Sequence, residues 1–152
     1  MPAHEYSYHV HPWEEILHYV SINQVSNLKR NIPGQEIYVK WTSETIEQYG
    51  SVTNYLKKEK VIFPPDTDVD EKGRPITLIL PNDFPYSVDP GITHVLIWSK
   101  VPLLKQHVES LLDERYGSSI YEWSYFVNPP EVQSIPSMPH VHVFMRKRSP
   151  QE

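Results

Sequence analysis

The sequence predicts an α+β fold in which N-terminal helices pack on a small antiparallel or mixed sheet. The chain has 152 residues and no cysteine, which fits one domain with a core of its own. Helix-like apolar spacing dominates residues 12–60, whereas short β-rich runs dominate residues 76–148. We therefore predict one domain over residues 12–148, preceded by a flexible arm over residues 1–11 and followed by a tail over residues 149–152.

The helical part contains three predicted segments. Pro12 suits the first turn of a helix whose apolar spacing extends to Arg30, although the stretch 21–26 is rich in weak helix formers. Pro33 opens a second segment, and Gly50 ends it. Ser51 is then placed to cap a short third helix.

An exposed loop separates the two parts, because residues 63–74 are rich in proline, acidic residues and glycine. The second part predicts strands over residues 76–80, 93–99, 120–127 and 139–145, with a helix over residues 103–115 before the third strand. The connections are short and βαβ crossovers are absent, which favours antiparallel pairing.

Composition narrows the class of protein. The net charge of −5 is opposite to that of a non-specific nucleic-acid binder, so we expect no nucleic-acid partner. Without cysteine there are no disulfides and no thiolate sites, which is typical of a reducing compartment. No apolar run suits a membrane helix, and the N-terminus has no secretory signal pattern. These features predict a cytoplasmic protein, with a nuclear location also open.

The candidate site lies on the last predicted strand. Side chains alternate along a strand, so His140 and His142 share one face with Phe144, while Val141 and Val143 take the core side. Two imidazoles on one exposed strand face can bind a metal, transfer a proton, or place one ring as a nucleophile beside the other. Histidines on surface strands are also commonly inert.

Polar residues upstream strengthen the candidate. Asn128, Gln133 and Ser134 lead into the histidine strand, and side chains of these types hydrogen-bond ribose and phosphate oxygens. Each also has a purely structural interpretation in a turn or a backbone contact. His94 follows Thr93 on the second strand, where a hydrogen-bonded core histidine is the simpler interpretation.

Other patterns predict no metal or cofactor site. His4, His9 and His11 lack a fixed scaffold, and the acidic stretch 66–71 has its glycine at the wrong offset for a calcium loop. A phosphate-binding glycine loop and a nucleophile elbow are also missing from the sequence.

Several motifs, taken in order, resemble the mainly fungal N-acetylglucosamine-induced protein family. The resemblance spans almost the whole chain but implies no particular reaction. Phe84 stands where that family has tryptophan in Asn-Asp-Trp-Pro-Tyr. The matching motifs are Leu28-Lys29-Arg30, Tyr38, Trp41, Tyr49-Gly50-Ser51, Tyr55, Asn82-Asp83-Phe84-Pro85-Tyr86, His94, Trp98-Ser99-Lys100, Gln133-Ser134-Ile135 and His140-Val141-His142-Val143.

Residues 76–148 also resemble the histidine triad superfamily of nucleotide hydrolases and transferases. The likeness lies in a Thr-His strand that ends in lysine, an asparagine before a Gln-Ser pair, and the final histidine strand. The third histidine of the triad is absent, and Phe144 stands in its place. Two registers are open: Pro139-His140 favours His142 as the nucleophile, whereas a shifted register makes His140 the nucleophile and puts Met138 in place of the first histidine.

This second resemblance implies that the protein acts on, or binds, a nucleotide or nucleotide-sugar phosphate without a cofactor. The implied catalytic residues are His142 and His140, and the implied ligand-binding residues are Asn128, Gln133, Ser134, Asn82, Asp83 and His94. A neutral imidazole would attack phosphorus while the neighbouring groups stabilise the growing charge. The alternatives are a non-catalytic binding pocket, a protein-interaction module that uses the aromatic helices, and metal-dependent chemistry at the two histidines. A homodimer or a protein partner is compatible with each alternative.

Overall fold

The computed structural model describes residues 6–128 and 138–149, and it has the predicted α+β fold. The described helices are α1 (Trp13–Ser21), α2 (Ile32–Tyr49), α3 (Val52–Tyr55) and α4 (Lys105–Arg115). The described strands are β1 (Thr77–Pro81), β2 (Thr93–Ser99), β3 (Tyr121–Phe126) and β4 (His140–Lys147). A short 3₁₀ turn occupies Val25–Asn27, and one π turn at Leu56–Lys60 extends α3.

The four strands form one antiparallel sheet in the order β1-β2-β4-β3. Leu96 lies opposite His142, and Trp98 lies opposite His140. Because neighbouring side chains on a strand point to opposite faces, this register puts both histidines of β4 on one face.

Helices cover both faces of the sheet. On one face, α4 packs Val108 and Leu112 against Val95, Ile97 and the apolar side chains of β4. On the other face, α1 and the following turn pack against Phe126 and Phe144. Leu56 and Val61 cover the same face near Leu96, Trp98 and Met138. The sheet is therefore the middle layer of three.

The first predicted helix is shorter than expected. Helix α1 ends at Ser21, and Asn23 adopts a left-handed backbone with φ of 55°. This conformation suits asparagine and interrupts a right-handed helix. The chain then makes a 3₁₀ turn, and Leu28 packs into the core from an extended position. The apolar spacing to Arg30 thus reflects core contacts from two separate pieces of chain.

The next two helices follow the prediction closely. Asn31 caps α2 by accepting a hydrogen bond from the Gly34 amide at 2.9 Å. Gly50 ends α2 with a φ of 88°, which favours glycine. Ser51 caps α3, as predicted, by accepting from the Asn54 amide at 3.0 Å.

Two stretches predicted to be loose make specific contacts. Arg74, at the end of the exposed loop, is 9% exposed. It forms ion pairs with Asp70 in the same loop and with Glu114 on α4. His11, in the predicted arm, is buried, and its amide donates to the Ser87 carbonyl at 2.7 Å. The end of the loop and the segment around His11 are thereby held against the body of the domain.

Among the described residues, no helix has both the length and the apolar character needed to cross a lipid bilayer.

Candidate functional site

A cleft of about 220 Å³ opens between the helical layer and the sheet. Its floor is formed by side chains of β2 and β4, including Leu96, Trp98, His140 and His142. Its walls come from three other places: the segment before α2, the inner face of α2 and α3, and the turn after β1. The residues from these walls include Arg30, Tyr38, Trp41, Tyr55, Lys60, Asn82, Asp83, Phe84 and Tyr86.

The prediction of an exposed histidine face is wrong. His142 is 5% exposed and His94 is equally buried, because the N-terminal helices and Tyr86 lie over this face of the sheet. His140 is only half-buried, and its ring lies beside that of Trp98 on the neighbouring strand. Both β4 histidines nevertheless line the cleft, so their burial does not separate them from it.

The most buried part of the site is a chain of hydrogen bonds. The Tyr86 backbone amide donates to Nδ1 of His94 at 3.1 Å. Nε2 of His94 lies 2.9 Å from Nδ1 of His142. Nε2 of His142 lies 3.2 Å from the side-chain amide of Asn128, which also contacts the Tyr86 hydroxyl at 3.1 Å.

The fixed donor at one end of this chain sets the tautomers along it. A backbone N–H can only donate, so Nδ1 of His94 is an acceptor and its proton is on Nε2. His94 therefore donates to Nδ1 of His142, and neutral His142 carries its own proton on Nε2. That proton needs an acceptor, so we assign the Asn128 amide with its oxygen toward the ring.

Burial keeps these two imidazoles neutral. Desolvation, with a smaller contribution from the positive charge of Arg30, lowers the pKa of His94 from 6.5 to about 3. Desolvation also holds the pKa of His142 well below its usual value, and the nearby His94, His140 and Arg30 add to the effect. His142 is therefore a neutral hydrogen-bond donor at Nε2.

His140 has the opposite tautomer. Its Nδ1 lies 2.8 Å from the Met138 carbonyl oxygen, which can only accept, so the proton of His140 is on Nδ1. Desolvation lowers the pKa of His140, and the bond to Met138 partly opposes the shift. Within the described residues, Nε2 of His140 has no hydrogen-bond partner. It therefore keeps a lone pair that is available to a ligand.

The remaining predicted site residues divide into three groups. Asn82 uses its side-chain oxygen to accept from the Phe84 amide at 2.9 Å, so it shapes the turn at the cleft wall. Asp83 forms an ion pair with Lys60 at 3.2 Å, at the exposed edge of the cleft. Gln133 and Ser134 lie outside the described residues.

The aromatic wall was missed as a site by the sequence reasoning. Trp41 lies 4.6 Å from Phe84 between ring centroids, and it also contacts Tyr38 and Tyr55. In the sequence, Tyr38 and Trp41 are motifs of a family resemblance, and the aromatic helices are considered only as a protein-interaction module. The available signal was that Tyr38, Trp41 and Tyr55 put several aromatic side chains on two consecutive helices, as is typical of a ligand wall.

A second histidine cluster lies at the start of α1. His9 and His11 both hydrogen-bond to Glu15, and the three ligand atoms lie within 4.8 Å of one another. However, Nε2 of His11 accepts from the Lys29 amide at 3.3 Å, so the proton of His11 is on the nitrogen that faces Glu15. His9, His11 and Glu15 therefore form a hydrogen-bonded cluster. A metal ion could bind there only by displacing the proton on His11 that faces Glu15.

Comparison with known proteins gives a family and a fold. A family model described as a protein of unknown function, DUF3605, matches residues 12–123, which end before β4. The uncharacterized protein YPL067C of Saccharomyces cerevisiae is 24% identical over 156 residues, covering 88% of this chain and 77% of the yeast protein.

A solved structure has the same overall architecture. The crystal structure of HTC1 superimposes with a TM-score of 0.64 at 24% sequence identity. The match covers 89% of this chain and 84% of that chain. At this level of identity the likeness supports the fold alone.

Proposed function

The chain belongs to the protein family of unknown function DUF3605, and we propose that its cleft binds a nucleotide or nucleotide-sugar phosphate and transfers the nucleotidyl group through His140. The observation that carries this proposal is the tautomer of His140. Its Nδ1–H is held by the Met138 carbonyl, so the lone pair of Nε2 remains in a cleft that also has an aromatic wall.

The tautomers favour one of the two registers of the histidine triad resemblance. A nucleophilic imidazole needs an unprotonated nitrogen. Nε2 of His142 carries a proton and faces Asn128, whereas Nε2 of His140 has a lone pair. The register with His140 as the nucleophile and Met138 in place of the first histidine is therefore the better supported one. His94 supplies a third imidazole from β2, so three histidines converge although the strand motif has two.

The proposed chemistry follows from these roles. Nε2 of His140 attacks the α-phosphorus and forms a P–N bond. The bond from phosphorus to the leaving group breaks, and the leaving group takes its electron pair and a proton from water. A second water molecule then attacks the same phosphorus, and its proton neutralises the hydroxide formed in the previous step. This attack breaks the P–N bond and returns the lone pair to His140. The Met138 carbonyl stabilises the imidazolium formed in the first step.

The aromatic wall suits the other part of such a ligand. A nucleobase stacks on flat side chains, and one such contact contributes about 1–3 kcal/mol. Trp41 and Phe84 line the cleft together with Tyr38 and Tyr55. The interaction-module alternative loses support, because Tyr38, Trp41 and Tyr55 are half-buried and line the cleft.

Mass spectrometry after incubation with adenosine 5′-phosphoramidate tests the proposal. We expect an adenylyl adduct on the peptide that contains His140. His140→Ala should reduce adduct formation by on the order of 10³-fold or more, because the nucleophile is gone. His18→Ala is the matched control, since His18 is an exposed histidine on α1, and it should behave like the wild type.

Three other outcomes would each overturn part of the proposal. An adduct on His142 would contradict the tautomer assignment. AMP that raises the melting temperature without any adduct would leave a non-catalytic binding protein, an alternative favoured by the loss of a triad imidazole at Met138. Absence of both adduct and stabilisation at millimolar AMP would rule out the nucleotide cleft.

A further inference from the structure

Two cationic side chains line the cleft, and they differ in their partners. Lys60 is paired with Asp83 at 3.2 Å, and this pair lies at the exposed edge. Arg30 is half-buried, and within the described part of the chain no carboxylate lies within ion-pair distance of it. A half-buried guanidinium without an acidic partner is a costly feature, and it is commonly retained for binding an anion.

The Arg30 side chain is also held in one orientation. Its Nε donates to the Phe84 carbonyl at 2.8 Å. The guanidinium carbon lies 3.9 Å from the ring centroid of Tyr38 and 5.4 Å from that of Tyr86. Among the described residues, none accepts from the two terminal nitrogens. Four N–H groups thus remain for a ligand, in the planar arrangement that binds two oxygens at once.

The charge of Arg30 complements the neutral imidazoles around it. His94, His140 and His142 provide hydrogen-bonding nitrogens but no net charge in the folded protein. A phosphate in the cleft would otherwise meet only aromatic rings, neutral groups and the Lys60–Asp83 pair. Arg30 alone among the described cleft residues is placed to balance an anion without first breaking an ion pair.

We propose that Arg30, contributed by the segment between α1 and α2, is the phosphate-recognising residue of the cleft. This inference rests on the proposed function, because it names how the same cleft holds its ligand. The inference concerns binding and not the covalent step. The strand histidines carry out the chemistry, and Arg30, from the helical part of the chain, holds the phosphate. The expected ligand group is a phosphate monoester or the equivalent part of a diphosphate.

The test compares the affinities of AMP and adenosine by isothermal titration calorimetry. Wild-type protein should bind AMP more tightly than adenosine. Arg30→Gln should weaken AMP binding by about 10- to 100-fold, as expected for loss of hydrogen bonds from a charged donor. Adenosine affinity should stay within about twofold, because its contacts are aromatic. Unchanged adenosine binding also shows that the variant is folded.

Two further variants exclude a purely structural role. Arg30→Lys keeps the charge but loses the planar fork, so it should restore part of the AMP preference. Lys57→Gln is the matched control, because Lys57 is an exposed lysine outside the cleft lining, and it should change the preference by less than about threefold. A loss of AMP preference in Arg30→Lys equal to that in Arg30→Gln would favour a structural role and overturn the inference.

Failure of this inference differs from failure of the proposed function. Equal affinities of wild-type protein for AMP and adenosine, or an unchanged AMP preference in Arg30→Gln, would overturn the role of Arg30 even if the His140 adduct forms. An AMP preference that depends on Arg30 would support the inference even if no adduct is ever detected. No binding of either compound would overturn both.

Discussion

The two faces of the central sheet are built from the same strands, but one buries apolar side chains and the other buries polar ones. The face against α4 is apolar and closely packed, with Ile97 and Val143 fully buried. The face under the N-terminal helices buries His94 and His142 beside Phe144. The first face contributes stability through burial of apolar surface. The second retains polar groups that are costly to bury, which is typical of a site and not of a core.

The difference also explains why the second face needs so many hydrogen bonds. Each buried imidazole must satisfy two ring nitrogens, and the chain from Tyr86 through His94 and His142 to Asn128 does so. Charged imidazoles would lack this compensation, so the folded protein holds the neutral forms. The buried polar residues of this face are thus stabilised by one chain of hydrogen bonds, in which each group donates to the next in a single order.

The largest effect on stability should come from the α4 face. Leu112→Ala removes a fully buried side chain from the packed layer, so it should lower the free energy of unfolding by about 2–5 kcal/mol. Urea denaturation measures this change. Binding of AMP to the folded variant should be unchanged, because Leu112 lies on the opposite side of the sheet. A parallel loss of AMP affinity would show that the two faces are not independent.

A smaller effect is expected from the histidine pair. His142→Leu leaves the Nε2–H of His94 buried without an acceptor, which should cost about 1–3 kcal/mol. The double variant His94→Leu/His142→Leu should be destabilised by less than the sum of the two single variants, with a coupling of about 0.5–3 kcal/mol. Urea denaturation of all four proteins measures the coupling. Strict additivity would mean that the two rings are not joined by a hydrogen bond that stabilises the fold.

A third effect concerns the pH dependence of stability. The pKa of His94 falls from 6.5 to about 3 on folding, so the unfolded chain binds a proton at a higher pH than the folded protein. The stability that this residue contributes is complete above pH 6.5 and is lost as the pH falls toward about 3. His94→Gln should make the unfolding free energy less steep in this range, by up to about 1.4 kcal/mol per pH unit.

Melting curves recorded between about pH 6 and about pH 4 measure this slope. The exposed His18→Gln variant is the control and should keep the wild-type slope. An unchanged slope in His94→Gln would mean that folding does not lower the pKa of His94. The ring would then gain a proton in this pH range in the folded protein, and the tautomer argument for His142 would fail with it.

Much of the fold could be predicted from the sequence, because local patterns determine it. Strand β2 was placed at its observed bounds, Thr93–Ser99, and the Ser51 cap was identified from residue type and position. The helix break near Asn23 was missed, since apolar spacing on two separate segments resembles one continuous stripe. Periodicity reports which residues face the core but not whether the chain is continuous between them.

The candidate site was predicted only in part. The strand motif identified His140 and His142, and alternation placed them on one face. It did not predict their burial, which depends on α1 and the turn after it, more than a hundred residues away along the chain. Nor did it predict the contribution of Arg30, because an arginine before a helix has no local feature that marks a distant cleft.

The sequence by itself determined the class of fold, the strand that carries the histidines, and the fact that their side chains lie on the same face. These properties follow from short-range periodicity. Tertiary structure alone decided which face of the sheet the N-terminal helices cover, which nitrogen of each imidazole carries the proton, and which cation has no carboxylate partner among the described residues. These properties depend on the donors and acceptors that folding brings within about 3 Å of each ring. These neighbours are Tyr86 in the turn after β1, His94 on β2, Asn128 after β3 and Met138 just before β4. Apart from Met138, no local pattern in β4 contains them.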